Sequence, residues 1–159
     1  MIRIPMTRID LDPAQRAFLE AARRAVLATI DPHGRPRLVP ICFVIVEPNG
    51  QAGAPRIVTP IDEKPKSGAD PLELARIRDV RARPEVGILV DRWDEDWSRL
   101  GWLRLVGRAT VLEPGAMPGE VLDALRSKYS QYRVQRLEAR PAIDILVEST
   151  SSWGDLTPD

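Results

Sequence analysis

The sequence is short of the residues on which many catalytic and metal sites depend. It holds one cysteine, Cys42, and one histidine, His33. A single thiol forms no internal disulfide and no cysteine zinc cluster. A Ser-His-Asp or Cys-His mechanism would have to use His33, and turn chemistry in DPHGRP at 31–36 accounts for that residue without catalysis. Cys42, flanked by Ile41 and Phe43, reads as filler in an apolar strand. There is no Walker A loop and no GxGxxG. No apolar run approaches the roughly 18–20 residues of a membrane span, and no cleavable signal opens the chain, so the expectation is a cytoplasmic protein without a membrane partner. An excess of charge is missing too. Basic and acidic residues number 23 each, for a formal net charge of zero. A general nucleic-acid binder carries a basic surplus to neutralise phosphates, so that class is disfavoured.

Lysine is scarce as well. Only Lys64, Lys66 and Lys128 occur among the 23 basic residues, and two of them fall within three positions of each other. What remains is ordinary globular composition: 159 residues, 43% hydrophobic and 29% charged. That is the size of one domain, taken as residues 1–159 with a core from about 12 to 153. A domain of this length buries about 68–70% of its unfolded surface and needs no staple.

Pattern and punctuation give the elements. Asp12, Pro13 and Gln15 supply cap, first-turn proline and capping box for a helix over 12–23. RAVLATI at 24–30 and RLVPICFVIV at 37–46 read as a hairpin around the 31–36 turn. Pro40 calls for an edge segment or a bulge. RIVTPI at 56–61 is a third strand, followed by the charged loop DEKPKSGAD at 62–70. Asp70, Pro71 and Glu73 open a second helix that Pro84 stops. EVGILVDRW at 85–93 and WLRLVGRATVLEP at 102–114 are the fourth and fifth strands, with Gly107 a candidate bulge. A third helix covers about 118–129, and 139–150 is the sixth strand. Strands joined by hairpin-length links predict an antiparallel barrel with flanking helices, not a doubly wound parallel sheet.

Three stretches carry candidate chemistry. The acidic run Asp91, Asp94, Glu95 and Asp96 lacks the glycine and terminal glutamate of a calcium loop, so a solvated turn is expected and no metal. Trp93, Trp97 and Trp102 surround it, and suit a barrel cap, a subunit contact or a ligand-pocket wall. In EKPK, Lys64 and Lys66 repel each other unless they are solvated or share an anion. Either a solvated loop balanced by Asp62 and Glu63, or a phosphate site, satisfies them. Asp70, as the cap of the next helix, would use up that helix's free N–H groups and weigh against the anion.

The segments LATIDPHGRPRLVPICFVI, RIVTPIDEKPK and LARIRDVRARPEVGILVDRWDEDWSRLGWLRLVGRATVLE, in that order, resemble the pyridoxamine 5′-phosphate oxidase-like FMN-binding split barrels. The likeness is greatest to the subgroup described as F420-dependent oxidoreductases, and it covers roughly residues 18–153. The resemblance implies a mainly β protein, a six-stranded antiparallel split barrel, working as a homodimer with cofactor sites at the subunit interface. It places the cofactor ring along Arg37, Leu38, Val39 and Pro40. Val58 and Thr59 would touch the ring and its phosphate-bearing chain, and Lys64 and Lys66 would hold the phosphate. Trp97 and Trp153 would form the partner subunit's wall. The implied activity is hydride transfer to or from a small conjugated substrate, with coenzyme F420 as first choice and FMN as second. A non-catalytic cofactor-binding protein is the rival of another class. No catalytic side chain is identified, because the hydride chemistry belongs to the cofactor.

Overall fold

The computed structural model describes residues 9–47, 54–63 and 70–158. Helix α1 spans Pro13–Ala21, followed by strands β1 (Ala25–Ile30), β2 (Pro36–Ile41), β3 (Val44–Val46) and β4 (Arg56–Pro60). Helix α2 (Ala75–Ala82) precedes β5 (Glu85–Arg92) and β6 (Gly101–Leu112), and α3 (Gly119–Lys128) precedes β7 (Ala142–Gly154). Every strand pairing is antiparallel, in the order β2-β1-β5-β6-β7-β4-β3.

The sheet has seven strands where six were expected, and the extra one comes from the run 37–46. Among the described residues β2 pairs only with β1, while β3 pairs only with β4, at the opposite end of the strand order. Two residues, Cys42 and Phe43, carry the chain from one edge of the curled sheet to the other, and no single neighbour can pair with both halves. The break frees the backbone groups of Phe43, and they must be satisfied elsewhere. The hydroxyl of Tyr129, just past α3, accepts from Phe43 N at 3.0 Å and lies 3.1 Å from the Phe43 and Arg23 carbonyl oxygens.

Local signals otherwise act as read. Asp12 and Gln15 form the reciprocal capping box of α1, with N···O distances of 2.8 and 3.2 Å. Pro40 lies on an edge strand, where a missing N–H is tolerated. The register of β6 against β7 shifts between Val106 and Gly107. Only glycine fits there, since a Cβ on Gly107 would sit 2.3 Å from the Leu146 carbonyl oxygen. In the β1–β2 turn Gly34 takes φ of 79°, and the Asp31 carboxylate accepts from His33 N and Arg35 N at 2.8 and 2.9 Å.

The second helix departs from expectation. Asp70 caps only a short 3-10 turn, Pro71–Glu73, accepting from Leu72 N at 2.9 Å. Leu74 is then extended, and α2 starts from it with no side-chain cap hydrogen bond. The expected obstacle to an anion at this helix therefore falls away.

Two buried clusters fill the interior. The larger joins α1, α2 and the sheet through Leu19, Leu27, Phe43, Ile57, Ile77, Leu103, Leu105 and Ile143. The smaller lies beneath α3 and contains Val44, Val58, Val121, Leu125, Tyr129, Tyr132 and Leu137.

Candidate functional site

The open edge of β2 and the start of α2 enclose a cavity of about 390 Å³, lined by Arg37, Leu38 and Val39 on one side and residues 73–76 with Arg78 on the other. That volume lies in the ~300–1,000 Å³ range of small-molecule sites. β2 reaches this position because it is an edge strand, so alternate backbone groups are left free to face a ligand.

Asp79 organises the cavity wall. It is 2% exposed, and its Oδ2 accepts from Thr29 Oγ1 at 2.8 Å and from Arg37 Nε at 2.7 Å. Thr29 stands directly opposite Arg37 in the β1–β2 register. One buried carboxylate thus ties α2 to two strands and fixes the Arg37 guanidinium at the cavity rim.

Arg76 lies one turn earlier on α2. Its Nε is buried with no hydrogen-bond partner among the described residues. Burial pulls the guanidinium pKa down, and the charge of Asp62 acts in the opposite sense. Asp62 is itself buried, and its carboxylate accepts from Tyr132 Oη at 2.8 Å. Arg140 holds the carbonyls of Ile61 and Asp62 at 2.8 and 2.6 Å, and Gln135 accepts from Glu63 N at 3.0 Å. The chain is anchored up to Glu63, immediately before Lys64. Lys64 and Lys66 themselves lie outside the described residues.

Among the other residues named from sequence, Arg37, Leu38 and Val39 line the cavity, and Pro40 follows on the same strand. Val58 and Thr59 are both 2% exposed on β4; Val58 packs beneath α3, and neither lines this cavity. Trp97 and Trp153 are 73% and 56% exposed, so within one chain they form no cavity wall and no barrel cap. Arg56, at the start of β4, is engaged by Asp144, whose Oδ1 accepts from its Nε at 3.0 Å. Arg78 borders the cavity.

Asp79 and the outer face of the sheet escaped the sequence reading. Asp79 is the acid on the same helix side as Ile77 and Val80, all three buried. A carboxylate on the apolar side of a short helix was the available signal. On the outer face, Leu38, Leu89 and Val106 remain exposed. Leu38 stands opposite Ala28, Ala28 opposite Gly87, and Gly87 opposite Val106, while Leu89 stands opposite Val26, which faces Pro40. These residues make one apolar strip across four strands. The signal was the lack of alternation in AVLATI and VGILV, which marks strands covered on both faces.

A second cleft, about 260 Å³, opens between Phe18 of α1, Ala22 just past its end, Arg92 and Pro158. Two arginines line it: Arg92 donates to the Arg99 and Asp155 carbonyls at 2.8 Å each and pins the C-terminal segment, and Arg23 stands over the Tyr129 ring. Among the described residues no group of three or more His, Cys, Asp or Glu is placed to hold a metal, and no helix is long and apolar enough to cross a membrane.

Comparisons with known proteins fit this architecture. No curated protein sequence matches the chain. The conserved hypothetical protein Rv2991 from Mycobacterium tuberculosis superposes with a TM-score of 0.64 at 20% identity, over 96% of this chain and 89% of that one. HutZ, the heme storage protein from Vibrio cholerae, gives 0.61 at 14% identity, over 92% and 96%. An F420 reductase gives 0.56 at 17% identity, over 86% and 94%. At these identities the likeness establishes the split-barrel fold. The model of the Pyridoxamine 5′-phosphate oxidase family matches residues 11–154, nearly all of the barrel, and the chain belongs to that family.

Proposed function

We propose that the protein is a flavin- or deazaflavin-dependent oxidoreductase acting as a homodimer on a small conjugated substrate. Coenzyme F420 is the first choice of cofactor and FMN the second. The observation that carries this reading is the β2–α2 cavity with the buried, unpartnered Arg76 Nε beside it. An orphaned guanidinium donor in a desolvated position calls for an anion, and a phosphate ester supplies one with matching geometry. Arg76 would bind that group together with Lys64 and Lys66, which follow the anchored Glu63. Arg37, held by Asp79, would orient the ring along β2, and Pro40 would leave one backbone donor out of that contact. Bound there, the cofactor supplies the hydride chemistry, while the protein binds, orients and excludes water. Arg37, Arg76 and Arg78 around one cavity favour the longer anionic tail of the deazaflavin coenzyme.

The apolar strip through Leu38, Leu89 and Val106 supports the second subunit. It begins at the cavity rim, so a partner packed on it would close the site. The decisive experiment is titration of the purified protein with F420, FMN and haem in parallel, followed by absorbance and by light scattering. F420 or FMN is expected to bind, and Lys64→Ala with Lys66→Ala should weaken that binding with little loss of stability. If neither binds below about 100 μM, only about −5.5 kcal/mol, the enzyme reading fails. Haem binding alone would make the protein a carrier. Turnover with quinones and enones then separates an enzyme from a silent flavoprotein.

A further inference from the structure

The Arg37 guanidinium is held from one side only. Asp79 Oδ2 accepts from its Nε at 2.7 Å, and among the described residues neither Nη makes a hydrogen bond. The carboxylate behind it is buried and also accepts from Thr29 Oγ1 at 2.8 Å, so it cannot swing away. The Arg37 side chain is partly exposed and lines the β2–α2 cavity beside Leu38 and Val39. The pair is therefore oriented. Its negative end is buried between α2 and β1, and its positive end borders the cavity.

The other charges around the cavity differ from this pair. Glu73 and Arg78 are exposed and of opposite sign, so water and salt screen them. Arg76 carries the buried Nε that calls for an anion of its own. Arg37 alone combines a fixed position with free donors at the cavity. A redox ring changes charge between its two forms, because two-electron reduction by hydride transfer adds one unit of negative charge unless a proton follows. A cation fixed beforehand at the wall of the same cavity favours the more negative form and needs no reorganisation to do so. A freely solvated cation would give most of that advantage back to water.

We propose that Arg37 and Asp79 together set the reduction potential of the ring held in this cavity. Arg37 favours the reduced form. Asp79 acts through Arg37 as a positioning residue, and its own charge holds that preference back. The inference rests on the cofactor reading above and adds to it what the loaded site does. Two charges of opposite sign, each removed alone, must shift the potential in opposite directions. A purely structural tie behaves otherwise, since loss of either partner would weaken the oxidised and reduced forms alike.

The test titrates the full-length protein anaerobically with F420 and with FMN, each oxidised and each reduced by dithionite, followed by absorbance and fluorescence. The ratio of the two dissociation constants reports the shift in potential, and tenfold in that ratio is about 30 mV for two electrons. Arg37→Gln should lower the preference for the reduced form by about tenfold. Arg37→Lys keeps the charge and should recover most of it. Asp79→Asn keeps an oxygen for Thr29 and Arg37, removes the negative charge, and should raise the preference. Should Asp79→Asn fail to fold, the two Arg37 variants decide alone, since that side chain reaches the surface. A ratio unchanged in Arg37→Gln, or lowered equally in Arg37→Lys, overturns the proposal and leaves the cofactor reading standing. Binding of neither cofactor to the native chain overturns both.

Discussion

The run RLVPICFVIV is divided between two contrasting surroundings. Its first half, β2, is an open edge whose residues alternate between exposed and half-buried up to Ile41. Its second half, β3, is covered by α3 and contributes Val44 to the inner cluster. The two covering helices differ accordingly. α2 brings Arg76, Arg78 and Asp79 to its strand and leaves a cavity. α3 brings Val121 and Leu125, with Tyr129 and Tyr132 behind them, into a buried cluster. One half of the barrel end is spent on burial, and the other keeps polar groups in places where burial makes them costly. Such costs persist where a ligand is to be held.

The largest effect expected of this contrast is on stability at the sealed half. Leu125 is fully buried, and Leu125→Ala should cost about 2–5 kcal/mol in denaturant unfolding. Cofactor affinity measured below the melting range should be unchanged. Leu38→Ala, at a residue 67% exposed on the open half, should cost stability only through the proposed subunit contact. Its effect should therefore grow with protein concentration. A concentration-independent loss as large as that of Leu125→Ala would mean that β2 is not an open edge.

Asp79 is the point where the open half uses core-like burial, and it should rank next. Asp79→Ala leaves Arg37 and Thr29 without their shared acceptor. A loss of about 3 kcal/mol is expected, at the low end for a broken buried pair because the Arg37 side chain is 41% exposed. Unlike Leu125→Ala, it should also weaken cofactor binding, since Arg37 is released from the rim. Loss of stability with undiminished affinity would reduce Asp79 to a structural tie.

Arg76 should separate the two roles completely. Its buried Nε has no partner among the described residues, so Arg76→Met removes a desolvation cost and fills similar space. Stability should hold within about 1 kcal/mol or rise. Cofactor affinity should fall by about tenfold or more, the loss of a charge-assisted hydrogen bond of about 1.5–3 kcal/mol. A destabilised variant with unaltered affinity would place Arg76 among the structural arginines, beside Arg92 and Arg140.

Legibility in the sequence follows the same divide. Features set by local chemistry were readable: the Asp12–Gln15 box, the Asp31–Gly34 turn, the Gly107 bulge and the helix limits set by Pro84. The antiparallel barrel followed from short links between β-rich runs. The split at Cys42 and Phe43 was not readable, because both halves of the run are apolar and only closure of the sheet assigns them different partners. The Arg37, Leu38 and Val39 wall came from resemblance, and the structure sets these residues beside α2. Asp79 and Asp62 stayed hidden because a buried acid looks like a surface acid until its donor, distant in sequence, is placed against it.

The smallest effect concerns acid, and it also distinguishes the two halves. The hydrogen bonds that Asp31 accepts, chiefly from Arg35 N, hold its pKa down from 3.8 to about 2. A depressed carboxylate contributes stability that is complete above the unfolded pKa and is lost as pH falls through the folded one. The turn at the open half should therefore loosen between about pH 4 and pH 2. The strand break at the sealed half depends on the Tyr129 hydroxyl, whose pKa is raised above 10.0 by burial, so it stays neutral throughout that window. Amide exchange at His33 and Arg35, read against the global unfolding rate, should accelerate across this range while exchange at Phe43 does not. Parallel acceleration at all three would mean that acid acts on the barrel as a whole, and that the two ends of β2 are not independently held.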